Sequence, residues 1–257
     1  MTTELGGRKI VITGAATGIG LAAVREISKL GAQVAAIYHN SPPPPELATT
    51  VTWLRCDLTD KASVEAAFAA IAGQFGGIDV LLHAAGLWAS ATPDDVTETE
   101  LNALLAVNLN ATVFANQAAF AWMRDSGGAI INLGSVEGVT GSPVSVHYAV
   151  AKAAVHAWTR SAARAWAPAG VTVNAVAPCV DTTNADRLRE FFGAGDGDGA
   201  GAEIVKARMK MLVPLGGAFG DAERDLCPML VFLCGTGARF ITGQLIAVDG
   251  GMRMLGA

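Results

Sequence analysis

Tyr148 and Lys152, four positions apart, are the residues of this chain whose types and spacing are best suited to chemistry. On a helix, side chains at positions i and i+4 lie next to each other on one face. A fixed positive charge favours the phenolate, so the lysine would lower the tyrosine pKa from about 10, towards the range of proton exchange with an alcohol or a carbonyl. The pair alone would also fit an ordinary amphipathic helix, so other parts of the chain must decide.

A glycine-rich turn near the N-terminus is the second feature. The short apolar run at 9–13 leads into a turn with Gly14, Gly18 and Gly20, and an apolar-periodic stretch follows at 21–30. This order predicts a strand, a turn and a helix. Glycines let the backbone approach a pyrophosphate closely, and the N-terminus of the following helix stabilises its negative charge. Taken alone, a plain strand-to-helix turn remains the alternative.

Ser135 is the third feature. It lies thirteen positions before Tyr148 and directly follows the apolar run 129–133, which reads as a buried strand. Open α/β sheets bind their ligands at the carboxyl ends of the strands. The Ser135 hydroxyl is therefore predicted to face a ligand.

Strand-like and helix-like segments alternate along the chain. Strands are predicted at about 9–13, 33–38, 51–56, 79–83, 129–133, 171–176 and 245–249, and helices near 18–30, 61–75, 99–124, 145–167 and 221–234. Such alternation predicts βαβ units, and hence an α/β fold with a doubly wound parallel sheet and helices on both faces. We see no internal repeat and no linker between domains, so a single domain is expected.

The composition restricts the function classes. Hydrophobic residues make up 51% of the chain and charged residues 16%, which suits a sheet covered on both faces. The formal charge of -5 offers no basic surface to nucleic acid. With no apolar run of membrane-spanning length and no signal-peptide pattern at the start, we expect no membrane partner and a cytoplasmic protein. The four cysteines lack metal-type or redox spacing, so reduced thiols and no metal site are expected.

Taken in order, these features and several others resemble the short-chain dehydrogenase/reductase family, over about residues 8–252. The matching landmarks are Thr13 with the glycine turn, Asp57, Ala84-Ala85-Gly86, Asn108, Ser135, Tyr148, Lys152, Asn174 to Pro178, and Val248 to Gly251. Each is common by itself, whereas the ordered set is specific. The resemblance implies one Rossmann-type, dinucleotide-binding oxidoreductase domain over 1–257, which moves a hydride between a nicotinamide cofactor and a carbonyl or secondary alcohol. A bulky hydrophobic ketone, a keto ester and a carrier-bound ketoacyl group all fit this class of substrate.

The resemblance also implies roles for four catalytic residues. Tyr148 would be the general acid in carbonyl reduction and the general base in alcohol oxidation. Lys152 would hold the nicotinamide ribose and lower the pKa of Tyr148. Ser135 would hydrogen-bond the substrate oxygen, and Asn108 would anchor a water that links Lys152 to solvent.

Cofactor binding is implied for a larger set, which follows the ends of the strands. Asp57 would bind the adenine amino group, and Gly86 would give the adenosine close access to the backbone. By spacing, Thr183 would bind the carboxamide, with Thr182 a near competitor. The complete set is Gly14, Thr17, Gly18, Ile19, Gly20, Tyr38, His39, Asn40, Ser41, Asp57, Leu58, Ala85, Gly86, Tyr148, Lys152, Pro178, Val180 and Thr183.

NADP(H) is predicted in preference to NAD(H). Enzymes that prefer NAD usually place an acidic residue at the end of the second strand, and the uncharged Tyr38 has that position here. A carboxylate that would repel a 2′-phosphate is thus absent. Thr17 stands where a basic residue often binds the phosphate, and no basic residue lies between Lys29 and Arg55. A modest preference is therefore expected, with NAD(H) as the alternative.

The chain departs from the family pattern at a few positions. His83 and Ala84 replace the usual two asparagines, and His83 is interpreted as structural, in place of a side chain that bridges the backbone of the sheet. Gly134 replaces a frequent serine beside Ser135. Cys179 stands where a glycine usually follows Pro178. His147, next to Tyr148, is expected to serve packing or an interface.

The substrate pocket is predicted to be largely apolar with one acid. Its candidates are Trp88, Val136, Glu137, Thr140, Cys179, Leu188, Phe191, Phe192, Met209 and Met211. The segment 184–213 contains a glycine-rich run, so we expect it to form a lid over cofactor and substrate.

Two other function classes remain alternatives to an oxidoreductase. A dinucleotide-binding regulatory or scaffold protein would not need the acid–base set around Tyr148. A sugar-nucleotide epimerase or dehydratase would carry an additional C-terminal substrate domain. The family resemblance further implies a homo-oligomer, commonly a tetramer, and the alanine-rich helix 145–166 would suit close helix packing.

Overall fold

The computed structural model describes residues 5–181, 207 and 209–253 of the chain. Its strands are β1 (Lys9–Thr13), β2 (Gln33–Tyr38), β3 (Thr52–Arg55), β4 (Val80–His83), β5 (Gly128–Leu133), β6 (Val171–Pro178) and β7 (Leu245–Val248). They form one sheet in the order β3-β2-β1-β4-β5-β6-β7, and all six neighbouring pairs are parallel. The predicted α/β fold, a doubly wound parallel sheet, is confirmed.

The helices of the described residues connect these strands. They are α1 (Gly18–Ser28), α2 (Lys61–Phe75), α3 (Glu98–Leu105), α4 (Ala111–Met123), α5 (Glu137–Thr140), α6 (Val146–Trp166) and α7 (Cys227–Cys234). Short 3₁₀ turns occur at Pro45–Leu47, Ala167–Ala169 and Thr236–Ala238. No helix in this part of the chain is both long and apolar enough to cross a membrane.

Two apolar layers hold the helices against the sheet. Because side chains of a strand alternate between its faces, Ile10 and Ile12 of β1 face one layer and Val11 faces the other. The first layer packs under α1 and α7, and the second packs under α2, α4 and α6. This burial on both faces explains why the strands are nearly continuous runs of apolar residues.

The predicted elements match the observed ones closely, with two informative differences. The predicted helix 99–124 is interrupted by a wide, π-type turn at Ala106–Asn110. The predicted helix 221–234 also begins with such a turn, at Ala222–Leu226, before α7. The Asp221 carboxylate caps it, accepting from the Arg224 N–H at 2.7 Å. The four-residue helix α5 was not predicted.

The strand order places a crevice between β1 and β4. Strands β2 and β3 lie on one side of β1. The chain then crosses over, and strands β4 to β7 lie on the other side. Thr13 and His83 end these two central strands opposite each other. Ligands of open α/β sheets bind at such a reversal point, so the glycine turn after Thr13 and the segment after His83 border the predicted site.

Candidate active site and nucleotide cleft

Two glycines of the turn after β1, Gly14 and Gly20, are packed too closely for a side chain. A Cβ atom on Gly20 would lie 2.2 Å from the carbonyl oxygen of Gly14. A Cβ on Gly14 would lie 2.7 Å from the Ala85 backbone, and its φ of +61° is also a glycine conformation. Gly18 likewise has a positive φ, of +53°. The glycines therefore shape a backbone-lined cleft at the N-terminus of α1.

Gly86 and Asn108 form the far wall of this cleft. A Cβ on Gly86 would lie 3.0 Å from Asn108 Oδ1 and 3.5 Å from Lys152 Nζ. The Asn108 side chain is fully buried and makes two hydrogen bonds to the Leu87 backbone. Its Oδ1 accepts from the Leu87 N–H at 3.3 Å, and its Nδ2 donates to the Leu87 carbonyl at 2.9 Å. Asn108 lies within the wide turn before α4, and such turns often occur at functional sites.

Tyr148 and Ser135 are brought together by α6 and the loop after β5. Their hydroxyl groups lie close enough for Ser135 to act on the phenol and lower its pKa. Ser135 Oγ also accepts from the Glu137 N–H at 3.2 Å, which fixes the serine at the start of α5. Two hydroxyls that point to one place can bind one substrate oxygen between them.

Lys152 lies one helical turn after Tyr148, as the spacing predicts. Its Nζ is 5.5 Å from the centroid of the Tyr148 ring and donates to the Leu133 carbonyl at 2.8 Å. Only 4% of the residue is exposed, and burial lowers the pKa of the ammonium to about 8. An ammonium has three donors, so two remain for a ligand in the cleft, which Lys152 lines.

The expectation that Lys152 lowers the pKa of Tyr148 is not supported by the structure. Burial raises the pKa of the phenol above its ordinary value, the nearby Ser135 hydroxyl opposes this, and the charge of Glu137 raises the pKa further. The physical reason is that desolvation disfavours the phenolate, while the lysine donates to a backbone carbonyl instead.

His156 is a residue of the site that the sequence analysis missed. Its Nε2 accepts from the Ser135 N–H at 3.3 Å, and burial lowers its pKa to about 4, so the ring is neutral. A Cβ on Gly134 would lie 2.7 Å from the same nitrogen. The His156 ring thus fills the space that a side chain at position 134 would need. The spacing of eight from Tyr148 places His156 two turns along α6, which is the only sequence signal.

His83 and His147 are structural in this chain, as the sequence analysis interpreted them. His83 Nδ1 is 2.9 Å from Thr13 Oγ1, so the ring bridges β4 to β1 by side chains rather than through the backbone. Burial and the charge of Lys152 lower the His83 pKa to about 3. His147 is 2% exposed on α6.

Arg55 is a second residue that the sequence analysis missed, at the end of β3. Parallel pairing sets it opposite Tyr38, the last residue of β2. Arg55 Nε donates to the His39 carbonyl at 3.0 Å, so the guanidinium lies beside the predicted ribose-binding segment. Asp57 follows, and its carboxylate accepts from the N–H and the hydroxyl of Thr59.

Two cavities meet at Tyr148. The first, of about 230 Å³, is lined by Gly14, Thr17, Gly18, Ile19, Ala85, Gly86, Asn108, Tyr148, Lys152 and Pro178, among others. The second, of about 400 Å³, is lined by Trp88, Ser135, Val136, Glu137, Thr140, Cys179, Val180 and Met209, among others. Ile19, Gly134, Tyr148 and Pro178 border both. The predicted catalytic residues and much of the predicted cofactor set are thus gathered at one place.

The remaining predicted residues lie elsewhere or outside the described residues. His39, Asn40 and Ser41 are exposed after β2, and Leu58 is partly exposed after β3. Met211 was expected in the pocket, but 85% of it is exposed and it does not line the cavity. Thr183, Leu188, Phe191, Phe192 and most of the predicted lid 184–213 lie outside the described residues.

Comparison with known proteins assigns the family. A family model described as enoyl-(acyl carrier protein) reductase matches residues 14–253. The 3-oxoacyl-(acyl-carrier-protein) reductase FabG of Staphylococcus aureus is 32% identical, over 96% of this chain and 98% of its own. Galactitol 2-dehydrogenase of Agrobacterium fabrum is also 32% identical, over 96% and 98%. The chain belongs to the short-chain dehydrogenase/reductase family.

A solved structure agrees with this assignment. A dehydrogenase/reductase from Sinorhizobium meliloti superimposes with a TM-score of 0.81 at 28% identity, over 98% of both chains. D-threitol dehydrogenase of Mycolicibacterium smegmatis, 32% identical over 96% of this chain and 94% of its own, is a further relative. The protein is an NAD(P)-dependent oxidoreductase of this family.

Proposed function

We propose that the protein transfers a hydride between NADP(H) and a ketone or secondary alcohol, with Tyr148 as the proton donor and acceptor. The observation that carries the proposal is the pair of neighbouring Tyr148 and Ser135 hydroxyls where the glycine-walled cleft meets the apolar cavity. The cofactor would occupy the cleft and the substrate the cavity, so that one substrate oxygen reaches both hydroxyls.

The glycine-lined cleft fits a dinucleotide. Gly14, Gly18 and Gly20 would hold the pyrophosphate against the N-terminus of α1, where backbone N–H groups and the helix dipole favour an anion. Gly86 would let the adenosine approach the backbone, and Lys152 would hold the nicotinamide ribose with its two remaining donors. The bound nicotinamide supplies the hydride chemistry.

The protein's own residues would manage the proton. In carbonyl reduction, Tyr148 would give its phenolic proton to the substrate oxygen while Ser135 donates a hydrogen bond to the same oxygen. Burial holds Tyr148 in the protonated form that this step requires. Asn108 would anchor the water through which Lys152 exchanges protons with solvent.

Arg55 supports a preference for NADP(H). No carboxylate stands at the end of β2, and the guanidinium of Arg55 lies beside the His39 backbone there. A 2′-phosphate at this place would meet a positive charge that NAD(H) cannot use. Tyr38, His39, Asn40 and Ser41 would add neutral donors, while Asp57 would bind the adenine amino group.

The alternative is a dinucleotide-binding protein without chemistry, and turnover distinguishes the two. A spectrophotometric screen of ketones and alcohols with NADPH and NADH should show substrate-dependent cofactor oxidation or reduction, with higher kcat/KM for NADPH than for NADH with one ketone. Tight cofactor binding with no turnover of any compound would favour the non-catalytic protein. Higher kcat/KM for NADH would refute the cofactor preference.

We also infer a homotetramer in the cytoplasm. Large apolar side chains are exposed on α4, α6 and the loop before β7, with Trp122 at 44%, Val150 at 51% and Phe240 at 99%. Exposed apolar patches commonly mark interfaces. The four cysteines are free thiols, which suits a reducing compartment. Light scattering after size exclusion should give four times the mass of one chain.

A further inference from the structure

Glu137 brings a carboxylate into the wall of the larger cavity, two residues after Ser135. Its Oε2 accepts a hydrogen bond from the fully buried hydroxyl of Ser145. The Trp88 side chain, which is 8% exposed, lies close enough to lower the pKa of the carboxylate. The Ser145 hydroxyl therefore fixes the orientation of the carboxylate beside Trp88.

The carboxylate has no ion-pair partner in the described part of the chain, although Arg253 lines the same cavity. A carboxylate can accept about four hydrogen bonds, so the Ser145 hydroxyl leaves most of that capacity unused. Burial raises the pKa of Glu137, in spite of the Ser145 hydrogen bond and the nearby Trp88. A desolvated carboxylate of this kind is stabilised by a further donor.

The carboxylate also lies near the proposed reaction centre. The Glu137 N–H donates to Ser135 Oγ, and the charge of Glu137 is felt at the Tyr148 hydroxyl. Most of the other lining side chains are apolar, including Val136, Val144 and Met209. A donor group on the substrate would therefore find Glu137 close to the carbon that reacts.

We propose that Glu137 is a specificity-determining residue, which selects substrates that carry a hydrogen-bond donor, a hydroxyl or an ammonium group, close to the reacting carbonyl or alcohol. This inference rests on the proposed function, because it concerns the substrate of the same site. Both donor groups share one chemistry, which is a hydrogen bond donated by the substrate to a fixed carboxylate.

A purely structural role for Glu137 makes a different prediction. The hydrogen bond to Ser145 ties α5 to the N-cap of α6. If that were its whole purpose, substitution would lower the stability and the kcat/KM of all substrates together. A specificity role changes the ratio of kcat/KM between two substrates, which stability does not alter.

The test compares matched substrates in the wild type and two variants. Each set contains a ketone without a donor, its hydroxyl-bearing analogue and its ammonium-bearing analogue of the same size. In the wild type, at least one donor-bearing ketone should have kcat/KM about 10- to 100-fold above the plain ketone, as expected for a hydrogen bond to a charged group. Glu137→Leu should bring that ratio to about 1.

Glu137→Gln separates the two kinds of donor. The amide keeps an acceptor oxygen but removes the charge, so it should keep part of the preference for a hydroxyl and lose the preference for an ammonium. Val139→Ala, a change on the exposed side of α5 outside the cavity lining, should leave the ratios of the wild type. Binding of the matching alcohols to the complex with oxidised cofactor, measured by thermal shift, should follow the same order.

The outcomes separate the inference from the proposed function. If the wild type turns over the plain ketone as well as both donor-bearing analogues, the specificity role is wrong and the oxidoreductase stands. A wild-type preference that persists in Glu137→Leu would also overturn the role. If no ketone or alcohol reacts with either cofactor, the proposed function itself fails.

Discussion

Tyr148 is kept protonated by its surroundings, since burial and the charge of Glu137 both raise its pKa. Burial lowers the pKa of Lys152 to about 8, because it disfavours the charged ammonium. A protonated phenol is the form that donates to a carbonyl. The proposed reduction step therefore finds the phenol in the form that it needs, whereas the proposed oxidation step would need a phenolate, which burial disfavours.

Replacing the phenol tests this residue directly. Tyr148→Phe keeps the ring and removes the proton donor, so kcat for ketone reduction should fall by ~10²–10⁴-fold. The affinity for NADPH, measured by fluorescence quenching, should change little, because the cleft keeps its glycines and Lys152. Near-normal kcat in this variant would contradict the mechanism.

At the scale of elements, the strand, glycine turn and helix at the N-terminus act as one unit. The Gly20 Cα on α1 faces the carbonyl of Gly14 so closely that a methyl group would clash at 2.2 Å. The neighbouring strand contributes through Ala85, which approaches Gly14. The cleft is therefore set by contacts between backbones, and side chains cannot replace them.

Two glycine-to-alanine substitutions test that conclusion. Gly20→Ala should lower the free energy of unfolding by about 1–3 kcal/mol, because the backbone must shift to accept the methyl group. Gly73→Ala is the matched control, since Gly73 lies in α2 with nothing within 4 Å of its Cβ position. That control should raise the free energy of unfolding by about 0.5–1 kcal/mol. Urea denaturation measures both, and equal effects would contradict the close packing.

The pairing of β2 with β3 leads to a prediction about the cofactor. Arg55→Gln removes the positive charge beside His39, so the dissociation constant for NADPH should rise about tenfold, in line with a lost charge-assisted hydrogen bond. The dissociation constant for NADH should stay within about twofold of the wild-type value. Arg239→Gln is the control, because Arg239 lines a cavity with Gly128 and Thr172 at the amino ends of β5 and β6, away from the cofactor cleft. A parallel loss for both cofactors would refute the role of Arg55.

For the whole molecule, the sequence predicts best where local pattern and global fold agree. The seven strands were located within about two residues, because each is a short apolar run bounded by turn residues. Ser135, Tyr148 and Lys152 follow from strand ends and helical spacing. The wide turn at Ala106–Asn110 was not predicted, because its five residues contain no proline or glycine. His156 and Arg55 reach the site through tertiary packing and strand register, which a single sequence does not display.

Acid stability is a property of the whole fold that the structure ties to buried histidines. Burial holds the pKa of His83 at about 3 and that of His156 at about 4, against an ordinary value near 6.5. Between pH 6.5 and these values the unfolded chain binds protons that the folded chain excludes. Stability from these rings is therefore complete above pH 6.5 and is lost as the pH falls.

His83→Asn isolates one of these contributions. A fully buried ring lowers the free energy of unfolding by about 2 kcal/mol between pH 7 and pH 5. The free energy of unfolding of the variant should therefore fall by about 2 kcal/mol less than that of the wild type over this interval. The asparagine can still reach Thr13 across the β1–β4 pair, and its effect at pH 7 is subtracted by comparing the two pH values within each protein. Urea denaturation at both pH values gives the difference. An unchanged loss in the variant would mean that His83 is already protonated, or exposed to solvent, in the folded protein.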